Sequence, residues 1–555
     1  MERADSIDPV TAEIIKSSLT YASEEMGIAV RNSAYSPNIK ERLDHSCALF
    51  DAAGRLIAQA EHIPVHLGSL PWGLRATLDV IRSKYGGVQP GEMWVVNDPY
   101  ISGTHLNDVT VIRPIFHDRD LVGFAANKAH HTDVGGSVPG SMSADAADLF
   151  AECLVVPPSR LVINDLASEP VIELFRANSR SAESRSGDLR AQMAGNYTGE
   201  RRMLELYERH GTHVMQAAIE RSLRDSEIRM RHALSALPAG SYHYEDVLED
   251  PDGNPSIRIA LTMTIRPGEV HFDYTGTAAQ LWFPMNAVYG VTLSGVYYVL
   301  RAVTDPTIPM NEGCLRPVTV HVPEGTLLNP RRPAPVSGGN VETSTRNADV
   351  VFGALAKAAP ERVPAQSGGT MSNVMIGGTR TDGSTWAFYE TNGCGMGARP
   401  GMDGIDAIQC HMTNTLNTPI EAIERDYPLR VDRYEIAEKT GGCGRYRGGC
   451  GLVRSLRLTQ GTARVSLLAE RHVRAPQGAQ GGGEGTCGVH VFTPSRQQAR
   501  TVPAKTTLAM HPGDAIEVHT PGGGGYGLGE GEDNTNGTER GVGVAGSGAG
   551  EAPGA

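Results

Sequence analysis

Several features that define common protein classes are missing from this sequence of 555 residues. No apolar run is long enough to cross a bilayer, and the acidic opening MERADSIDPV is not typical of a secretory signal. No basic run with interleaved aromatic residues occurs, and the formal net charge of −13 argues against binding to a phosphate backbone. We therefore expect a cytoplasmic protein that binds neither membranes nor nucleic acid.

Two kinds of short motif are missing as well. The eight cysteines, at positions 47, 153, 314, 394, 410, 443, 450 and 487, form no CxxC pair, so reduced thiols are the simplest interpretation. The P-loop pattern GxxxxGK[ST] does not occur, and the glycine-rich loops do not fit GxGxxG after a strand. ATP binding through a P-loop is therefore not expected in this chain.

The sequence does contain an ordinary globular balance, with 40% hydrophobic and 20% charged residues. Its length predicts several domains, and its mixture of helical and strand patterns predicts an α+β fold with mixed sheets. We expect an N-terminal α/β metal-bearing region (1–167), an inserted helical segment (168–238), a central α+β region (239–424), a C-terminal β-rich module (425–528) and a disordered glycine-rich tail (529–555).

Possible metal ligands are concentrated in two short stretches, GTHLND (103–108) and NKAHHTDVGG (127–136). Their candidate residues are His105, Asp108, His130, His131 and Asp133. The segment between them reads as two apolar strands around a polar HDRD turn, which predicts a hairpin with residue 107 roughly opposite residue 130. Because side chains alternate along a strand, only one of the two adjacent histidines can join a cluster.

Two imidazoles and a carboxylate suit zinc, manganese or iron better than magnesium or calcium, which prefer oxygen ligands. A hydrogen-bonded turn without metal is the alternative interpretation of the same residues. Asp44, placed just before a predicted strand, could be aimed at a neighbouring site. Weaker candidates are His62 and His66 as supporting groups, Arg346 and Arg399 as anion contacts, His411 in a substrate passage, and a tight turn at Gly522–Gly525.

Longer stretches carry a family resemblance, among them ERLDHSCALFD, AEHIPVHLGSLPWG, NDPYISGTHLNDVTVIRPIF, KAHHTDVGG, GGNVETSTRNADVVFGALA and TPGGGGYG. In this order they resemble the B-type components of the hydantoinase B/oxoprolinase family, which includes N-methylhydantoinase, 5-oxoprolinase, caprolactamase, and acetone and acetophenone carboxylases. The resemblance covers nearly all of residues 8 to 527. It implies metal ligands at Asp44, His105 and His130, with Asp108 as a further ligand in some members.

The resemblance also implies a chemistry and a partner. A separate A-type subunit, an actin-like ATPase, would use ATP to phosphorylate the carbonyl of a cyclic amide or imide. A cation held by this chain could then supply hydroxide at neutral pH, with Asp108 or Asp133 as a base or as a group that orients an imidazole. This predicts a hetero-oligomeric hydrolase; the alternatives are a ketone carboxylase subunit and a scaffold subunit with a structural metal.

Overall fold

The structure is a computed structural model that describes residues 7–60 and 62–529. Within these residues the strands form four sheets, with helices packed on and between them, so the predicted α+β class is confirmed. The predicted disordered tail lies outside the described residues except for Gly529. No helix in the described part is both long enough and apolar enough to cross a bilayer.

The N-terminal sheet has seven strands: β1 (His45–Asp51), β2 (Leu56–Gln59), β3 (Met93–Val96), β4 (Asp108–His117), β5 (Asp120–His130), β6 (Ser159–Ile163) and β7 (Leu166–Ala167). Across the sheet they run in the order β2-β1-β5-β4-β3-β6-β7, and neighbouring strands are antiparallel. The predicted β4–β5 hairpin is confirmed, and β1 and β2 form a second hairpin. The sheet therefore places β4 and β5 at its centre.

Seven helices accompany this sheet: α1 (Pro9–Ser33), α2 (Pro37–Lys40), α3 (His66–Tyr85), α4 (Pro99–Ser102), α5 (Leu149–Glu152), α6 (Glu169–Ala177) and α7 (Ala182–Ser235). Helix α1 begins as predicted, because the Asp8 side chain accepts a hydrogen bond from the backbone N–H of Thr11 and proline follows it. Helix α7 spans 54 residues with one non-helical position, Gly211. Helices α1 and α7 share an apolar core with the sheet, to which Met26, Leu49 and Met203 belong.

The central part contains β8 (Gly240–Glu249), β9 (Pro255–Arg266), β10 (Glu269–Asp273) and β11 (Val318–His321), which form one sheet in the order β11-β10-β9-β8. Its helices are α8 (Tyr289–Val303), α9 (Glu312–Leu315) and α10 (Ser344–Ala358). A π-helix, Gly339–Thr343, leads directly into α10, and a 3-10 turn, Pro360–Arg362, follows it. Helix α8 is almost fully buried, as its apolar sequence predicts.

The C-terminal part contains β12 (Asn373–Thr379), β13 (Thr385–Glu390), α11 (Ile420–Asp426), β14 (Leu429–Ile436), β15 (Leu452–Leu458), β16 (Thr462–Leu468), β17 (Val489–Thr493), β18 (Arg500–Val502), β19 (Lys505–Met510) and β20 (Ala515–His519). They form two sheets, β13-β12-β16-β19 and β14-β15-β20-β17-β18. A division at residues 424/425 would separate β12 and β13 from β16 and β19, which belong to one sheet. The central and C-terminal regions are thus interleaved.

The turn predicted for Gly522–Gly525 is wrong, because none of these four glycines has a positive φ. They pack against the backbones of other glycine-rich segments instead. A Cβ atom on Gly522 would lie 1.9 Å from the carbonyl oxygen of Thr440, and one on Gly525 would lie 2.0 Å from that of Cys443. Glycine is needed here because the backbones are too close for any side chain.

Candidate metal centre

The β4–β5 hairpin brings the two ligand-rich stretches together at its open end. Asp108 begins β4 and pairs directly with His130, the last residue of β5, one position from the predicted register. His105 lies in the turn just before β4, where its carbonyl oxygen accepts a hydrogen bond from the backbone N–H of Asp108 at 3.1 Å. Strand pairing therefore fixes the backbone of Asp108 and His130, and the turn hydrogen bond fixes that of His105.

The three side chains converge on a single point. The Nδ1 atom of His105 lies 3.0 Å from Oδ2 of Asp108, and Nδ1 of His130 lies 3.6 Å from Oδ1 of the same carboxylate. One ligand atom from each residue lies within 4.8 Å of the other two, and all three residues are buried. This spacing is suited to a divalent metal ion coordinated by two imidazole nitrogens and a carboxylate oxygen.

Hydrogen bonding within the cluster supports the same interpretation. Three ring nitrogens of the cluster are buried and lack a hydrogen-bond partner among the described residues: Nδ1 and Nε2 of His105 and Nε2 of His130. Nδ1 of His105 approaches the carboxylate of Asp108 to 3.0 Å without hydrogen-bond geometry. Buried polar atoms are nearly always satisfied, so these free lone pairs fit a shared cation better than a hydrogen-bonded turn.

The electrostatics favour the protonation states that a metal requires. Burial alone would raise the pKa of Asp108, but the three imidazoles around its carboxylate, of which His105 has the largest effect, outweigh burial and hold that pKa well below its usual value. Burial lowers the pKa of His130, against the opposing effect of Asp108. A carboxylate and a neutral imidazole are the forms that coordinate divalent ions.

Asp44 approaches the cluster from the position just before strand β1. Its Oδ2 atom lies 3.9 Å from Nδ1 of His130, and its carbonyl oxygen accepts a hydrogen bond from the backbone N–H of His130 at 3.0 Å. The Asp44 side chain is 10% exposed, compared with 0 to 3% for His105, Asp108 and His130. Asp44 therefore marks the side of the cluster closest to solvent.

His66, at the start of α3, supports Asp108 from behind. Its Nε2 lies 3.4 Å from Oδ2 of Asp108, while its Nδ1 lies 2.8 Å from the hydroxyl oxygen of Ser46. The Ser46 oxygen already accepts a hydrogen bond from the backbone N–H of Ile63, so its own proton is free to point at Nδ1 of His66. This arrangement leaves the proton of His66 on Nε2, facing Asp108.

Two further residues contact the cluster and a third lies close to it, although the sequence analysis did not single them out. Nδ2 of Asn340, in the π-helix, lies 3.5 Å from Oδ2 of Asp108. The ring of Tyr389 stacks on His130 with centroids 4.5 Å apart. The Nζ atom of Lys128 donates to Ser102 and Thr104, which lead to His105, and burial lowers the pKa of Lys128 to about 7. Of these three residues, only Lys128 could have been found from the sequence. It lies two residues before His130 in the predicted strand, so both side chains are on the same face.

The alternation argument correctly separates the two adjacent histidines. Nε2 of His131 lies 2.9 Å from Oε1 of Gln192 on α7, on the opposite face of the sheet from His130. Asp133 is also directed elsewhere, because its carboxylate accepts hydrogen bonds from the backbone N–H groups of Gly135 and Gly140 and from Arg180. These contacts organise the loop after β5, and they give no support to the predicted role of Asp133 as a catalytic base.

The weaker candidates other than His66 lie outside the cluster. Arg346 is buried in a network of ion pairs, and Arg399 is exposed. Nε2 of His411 lies 3.3 Å from Asp349 and its ring contacts Phe352. His62 lies 3.6 Å from Glu24 and beside the ring of His45.

Comparison with known proteins gives a consistent result over nearly the whole chain. The hydantoinase B/oxoprolinase family model matches residues 8–528. An uncharacterised protein of Methanocaldococcus jannaschii is 46% identical over 519 residues, covering 93% of this chain and 90% of that protein. The B component of a putative D-/L-hydantoinase from a Pseudomonas species is 32% identical, with 87% of this chain and 83% of that protein covered.

Longer relatives and solved structures are similar as well. The chain is 34% identical to 5-oxoprolinase 1 of Arabidopsis thaliana, with 93% of this chain but only 41% of that protein covered. The ATP-dependent caprolactamase of Pseudomonas jessenii has a TM-score of 0.88 at 30% identity, covering 94% of this chain and 92% of its own. An acetone carboxylase structure shares the fold, with a TM-score of 0.85 at 19% identity and coverage of 94% and 76%. The chain therefore belongs to the hydantoinase B/oxoprolinase family.

Proposed function

We propose that this chain is the metal-containing B-type component of an ATP-dependent hydrolase of cyclic amides or imides. The observation that carries the proposal is the buried group of His105, Asp108 and His130, whose free ring nitrogens fit a divalent zinc, manganese or iron ion. Support for the substrate class comes from the 5-oxoprolinase and the caprolactamase among its relatives. An A-type, actin-like ATPase subunit would bind ATP and phosphorylate the substrate carbonyl.

Each residue of the site has a defined task in this scheme. His105, Asp108 and His130 would hold the ion, and Asp44 would complete the donor set from the more exposed side. A bound divalent ion would polarise an oxygen ligand and lower the pKa of water to near neutrality. His66 keeps Asp108 oriented through its Nε2 proton, and Asn340 contacts the same carboxylate oxygen. Burial of the cluster excludes bulk water from the reacting carbonyl.

The activation step explains why such an enzyme needs ATP. An unstrained amide is a poor electrophile, and its nitrogen is a poor leaving group. With the carbonyl oxygen phosphorylated, water would add to the carbon, and the ring C–N bond would break as the nitrogen takes up a proton. Hydrolysis of the resulting acyl phosphate by a second water would release phosphate and leave the ring-opened amino acid. Asp108 acts here as a ligand, and Asp133 has no assigned step because Arg180 and the loop amides occupy its carboxylate.

The decisive experiment is reconstitution of this chain with an A-type subunit. We expect the copurified complex to contain a bound divalent metal and to release phosphate with a hydantoin, 5-oxoproline or a lactam. Removal of the metal with a chelator should stop turnover, and addition of zinc, manganese or iron should restore it. Turnover that persists without the metal would contradict the catalytic assignment and favour a structural metal.

A ketone carboxylase subunit is the second candidate, because the fold is shared with an acetone carboxylase. The same reconstituted complex distinguishes a carboxylase from a hydrolase. Phosphate release from simple ketones that requires bicarbonate would favour carboxylation. Phosphate release from cyclic amides without bicarbonate would favour hydrolysis.

A further inference from the structure

His130 lacks the hydrogen bond that usually fixes the orientation of a metal-binding imidazole. A ligating histidine ordinarily donates its second ring N–H to a carboxylate or a backbone carbonyl group. In this cluster Nδ1 of His130 faces the carboxylates of Asp108 and Asp44, at 3.6 and 3.9 Å. Its Nε2 atom is buried and has no hydrogen-bond partner among the described residues. No described group therefore fixes the plane of this ring through Nε2.

The ring of Tyr389 packs against His130 instead. The two ring centroids are 4.5 Å apart and the ring planes differ by only 11°, so the rings are stacked. Both residues lie in closely packed surroundings, and His130 and Tyr389 are only 2% and 4% exposed. Rotation of the imidazole out of its plane would drive a ring edge into the neighbouring ring. The stack therefore holds the direction in which His130 presents Nδ1.

Tyr389 is itself anchored through its hydroxyl group. That group donates a hydrogen bond to Oδ1 of Asn373, the first residue of β12, at 3.0 Å. The amide nitrogen of Asn373 donates to Oε1 of Glu342 at 2.7 Å and to the carbonyl oxygen of Leu468 at 2.9 Å. Because Asn373 is held from two sides, it fixes the outer end of the Tyr389 ring.

Arg42 holds Tyr389 a second time. It is completely buried, its Cζ atom lies over the Tyr389 ring at 4.9 Å from the centroid, and its Nη1 atom donates to the carbonyl oxygen of Tyr389 at 3.2 Å. Its other N–H groups donate to neutral oxygens as well, among them the carbonyl of Leu416 and the hydroxyls of Thr391 and Thr415. A cation over an aromatic ring is attracted to its π electrons, most strongly away from water.

Asn38 connects Arg42 to the backbone of two candidate ligands. Its Oδ1 atom accepts a hydrogen bond from Nη1 of Arg42, and its Nδ2 atom donates to the carbonyl oxygen of His130 at 2.7 Å. Its own carbonyl oxygen accepts a hydrogen bond from the backbone N–H of Asp44 at 3.2 Å. Because Arg42 contacts both Tyr389 and Asn38, it fixes the ring and the backbone of His130 relative to each other.

We propose that Tyr389 is a positioning residue of the metal centre: its ring, held by Arg42 and Asn373, orients the imidazole of His130 in place of a hydrogen bond to Nε2. The imidazole of a ligating histidine is electron-poor, and it stacks favourably on the electron-rich phenol ring. Tyr389 acts only through His130 and is not a ligand. The proposal rests on the proposed function only in treating His130 as a metal ligand, and it does not depend on the substrate.

The zinc affinity of the full chain tests this proposal. Each protein, first freed of metal, is titrated with zinc against a competing chelator. Tyr389→Leu removes the stacked ring, and we expect it to bind zinc about 10- to 100-fold more weakly, the effect typical of groups that orient a ligand. Tyr389→Phe keeps the ring and loses only the hydroxyl group, so its affinity should stay close to that of the wild type. If Tyr389→Leu does not fold, Tyr389→Met, which fills more of the space, takes its place in the same comparison.

Phe388→Leu is the matched control. Phe388 precedes Tyr389 in β13 and is similarly buried, but its side chain lies on the opposite face of the strand, in the apolar core that contains Ile376 and Leu456. The substitution removes the same kind of ring from the same strand. It should lower resistance to urea and leave zinc affinity unchanged. A zinc affinity that falls equally in Phe388→Leu and Tyr389→Leu would mean that β13 is loosened as a whole, and the proposal would be wrong.

Cobalt(II) bound in place of zinc gives a second measurement, which a general loss of stability would not alter. Its visible absorption bands depend on the geometry of the ligands. We expect changed bands in Tyr389→Leu and wild-type bands in Tyr389→Phe. Equal affinity and equal spectra in the wild type and Tyr389→Leu, or equal losses in the Phe and Leu variants, would overturn the role of the stacked ring. A wild-type chain that binds no divalent ion would instead overturn the metal centre itself, and this inference with it.

Discussion

Two buried groups of charged residues in this protein are built in opposite ways. In the metal centre, one carboxylate, that of Asp108, faces three imidazoles. In the second group, carboxylates and permanent cations alternate: Arg346 contacts Asp246 and Glu470, and Arg471 contacts Asp246 and Asp349 at 3.3 and 2.7 Å. We call this second group the ionic network.

The difference indicates what each group is for. A guanidinium is always charged and offers only hydrogen-bond donors, so the ionic network contains its own positive charge. The network connects β8, α10 and the segment after β16. Lys505 at the start of β19 adds a further contact, 2.6 Å from Glu470. The metal centre has lone pairs in place of fixed cations. We propose that a bound divalent ion supplies the positive charge of this group, which would make the group suited to chemistry and the network to structure.

The largest expected effect is the loss of a ligand from the metal centre. His105→Ala should abolish metal binding and reduce turnover of the reconstituted complex more than a hundredfold, since even neighbours of ligands contribute about 10- to 100-fold. The fold should persist, because His105 makes no hydrogen bond through its ring within the described residues. Metal analysis and circular dichroism measure both outcomes. His117→Ala, at the far end of β4, is the control, and equal metal content in the two variants would contradict the assignment.

Loss of a residue from the ionic network should lower the stability of the fold but leave metal binding intact. Arg471→Met leaves the buried carboxylates of Asp246 and Asp349 with less compensation, and breaking a buried ion pair costs about 3–5 kcal/mol. We expect a large fall in resistance to urea, with metal binding retained in the molecules that stay folded. Arg399→Met, an exposed arginine, should change stability little. If Arg471→Met instead released metal from a stable fold, the division of roles between the two groups would be wrong.

A smaller effect is expected from the residue that supports Asp108. His66→Gln keeps a polar side chain of similar length but loses the Nε2 contact to Asp108 and the Nδ1 contact to Ser46. Metal affinity should fall about 10- to 100-fold, without loss of the site. Titration with zinc and a competing chelator measures this change. An affinity equal to that of the wild type would show that His66 does not orient the carboxylate.

The sequence could predict that His105, Asp108 and His130 lie together because these residues belong to one hairpin, and their role as metal ligands stays a prediction. Two strands and a turn determine where His105, Asp108 and His130 lie, and the side-chain alternation of strands separates His130 from His131. The contribution of Asp44 was implied by the family resemblance. Asp133 was harder to judge, because its partner Arg180 lies 47 residues away in the chain.

The long-range features could not be predicted in this way. Asn340 reaches Asp108 across 232 positions from a π-helix, and the sequence GGNVETS carries no signal for the wider helical turn. The ionic network depends on contacts between residues more than 100 positions apart, such as Asp246 with Arg471. The tetraglycine was assigned to a turn because close packing between distant backbones leaves no local pattern. Local pairing was predictable, whereas tertiary packing was not.

The smallest expected effect is a dependence on pH that distinguishes the network from the metal centre. Burial favours the neutral form of His411, but the carboxylate of Asp349, 3.3 Å from its Nε2 atom, outweighs this and raises the pKa of His411 above its usual value. Burial likewise opposes ionisation of Asp349, yet His411 and the arginines lower its pKa to about 2.

The stability that His411 contributes is therefore complete below pH 6.5 and is lost as pH rises through its folded pKa. The contribution of Asp349 is present above about pH 4 and is lost on acidification toward its folded pKa. Urea unfolding of the wild type should show a decrease in stability above about pH 6.5 that His411→Gln lacks. Equal slopes in both proteins would mean that His411 is not held protonated by Asp349.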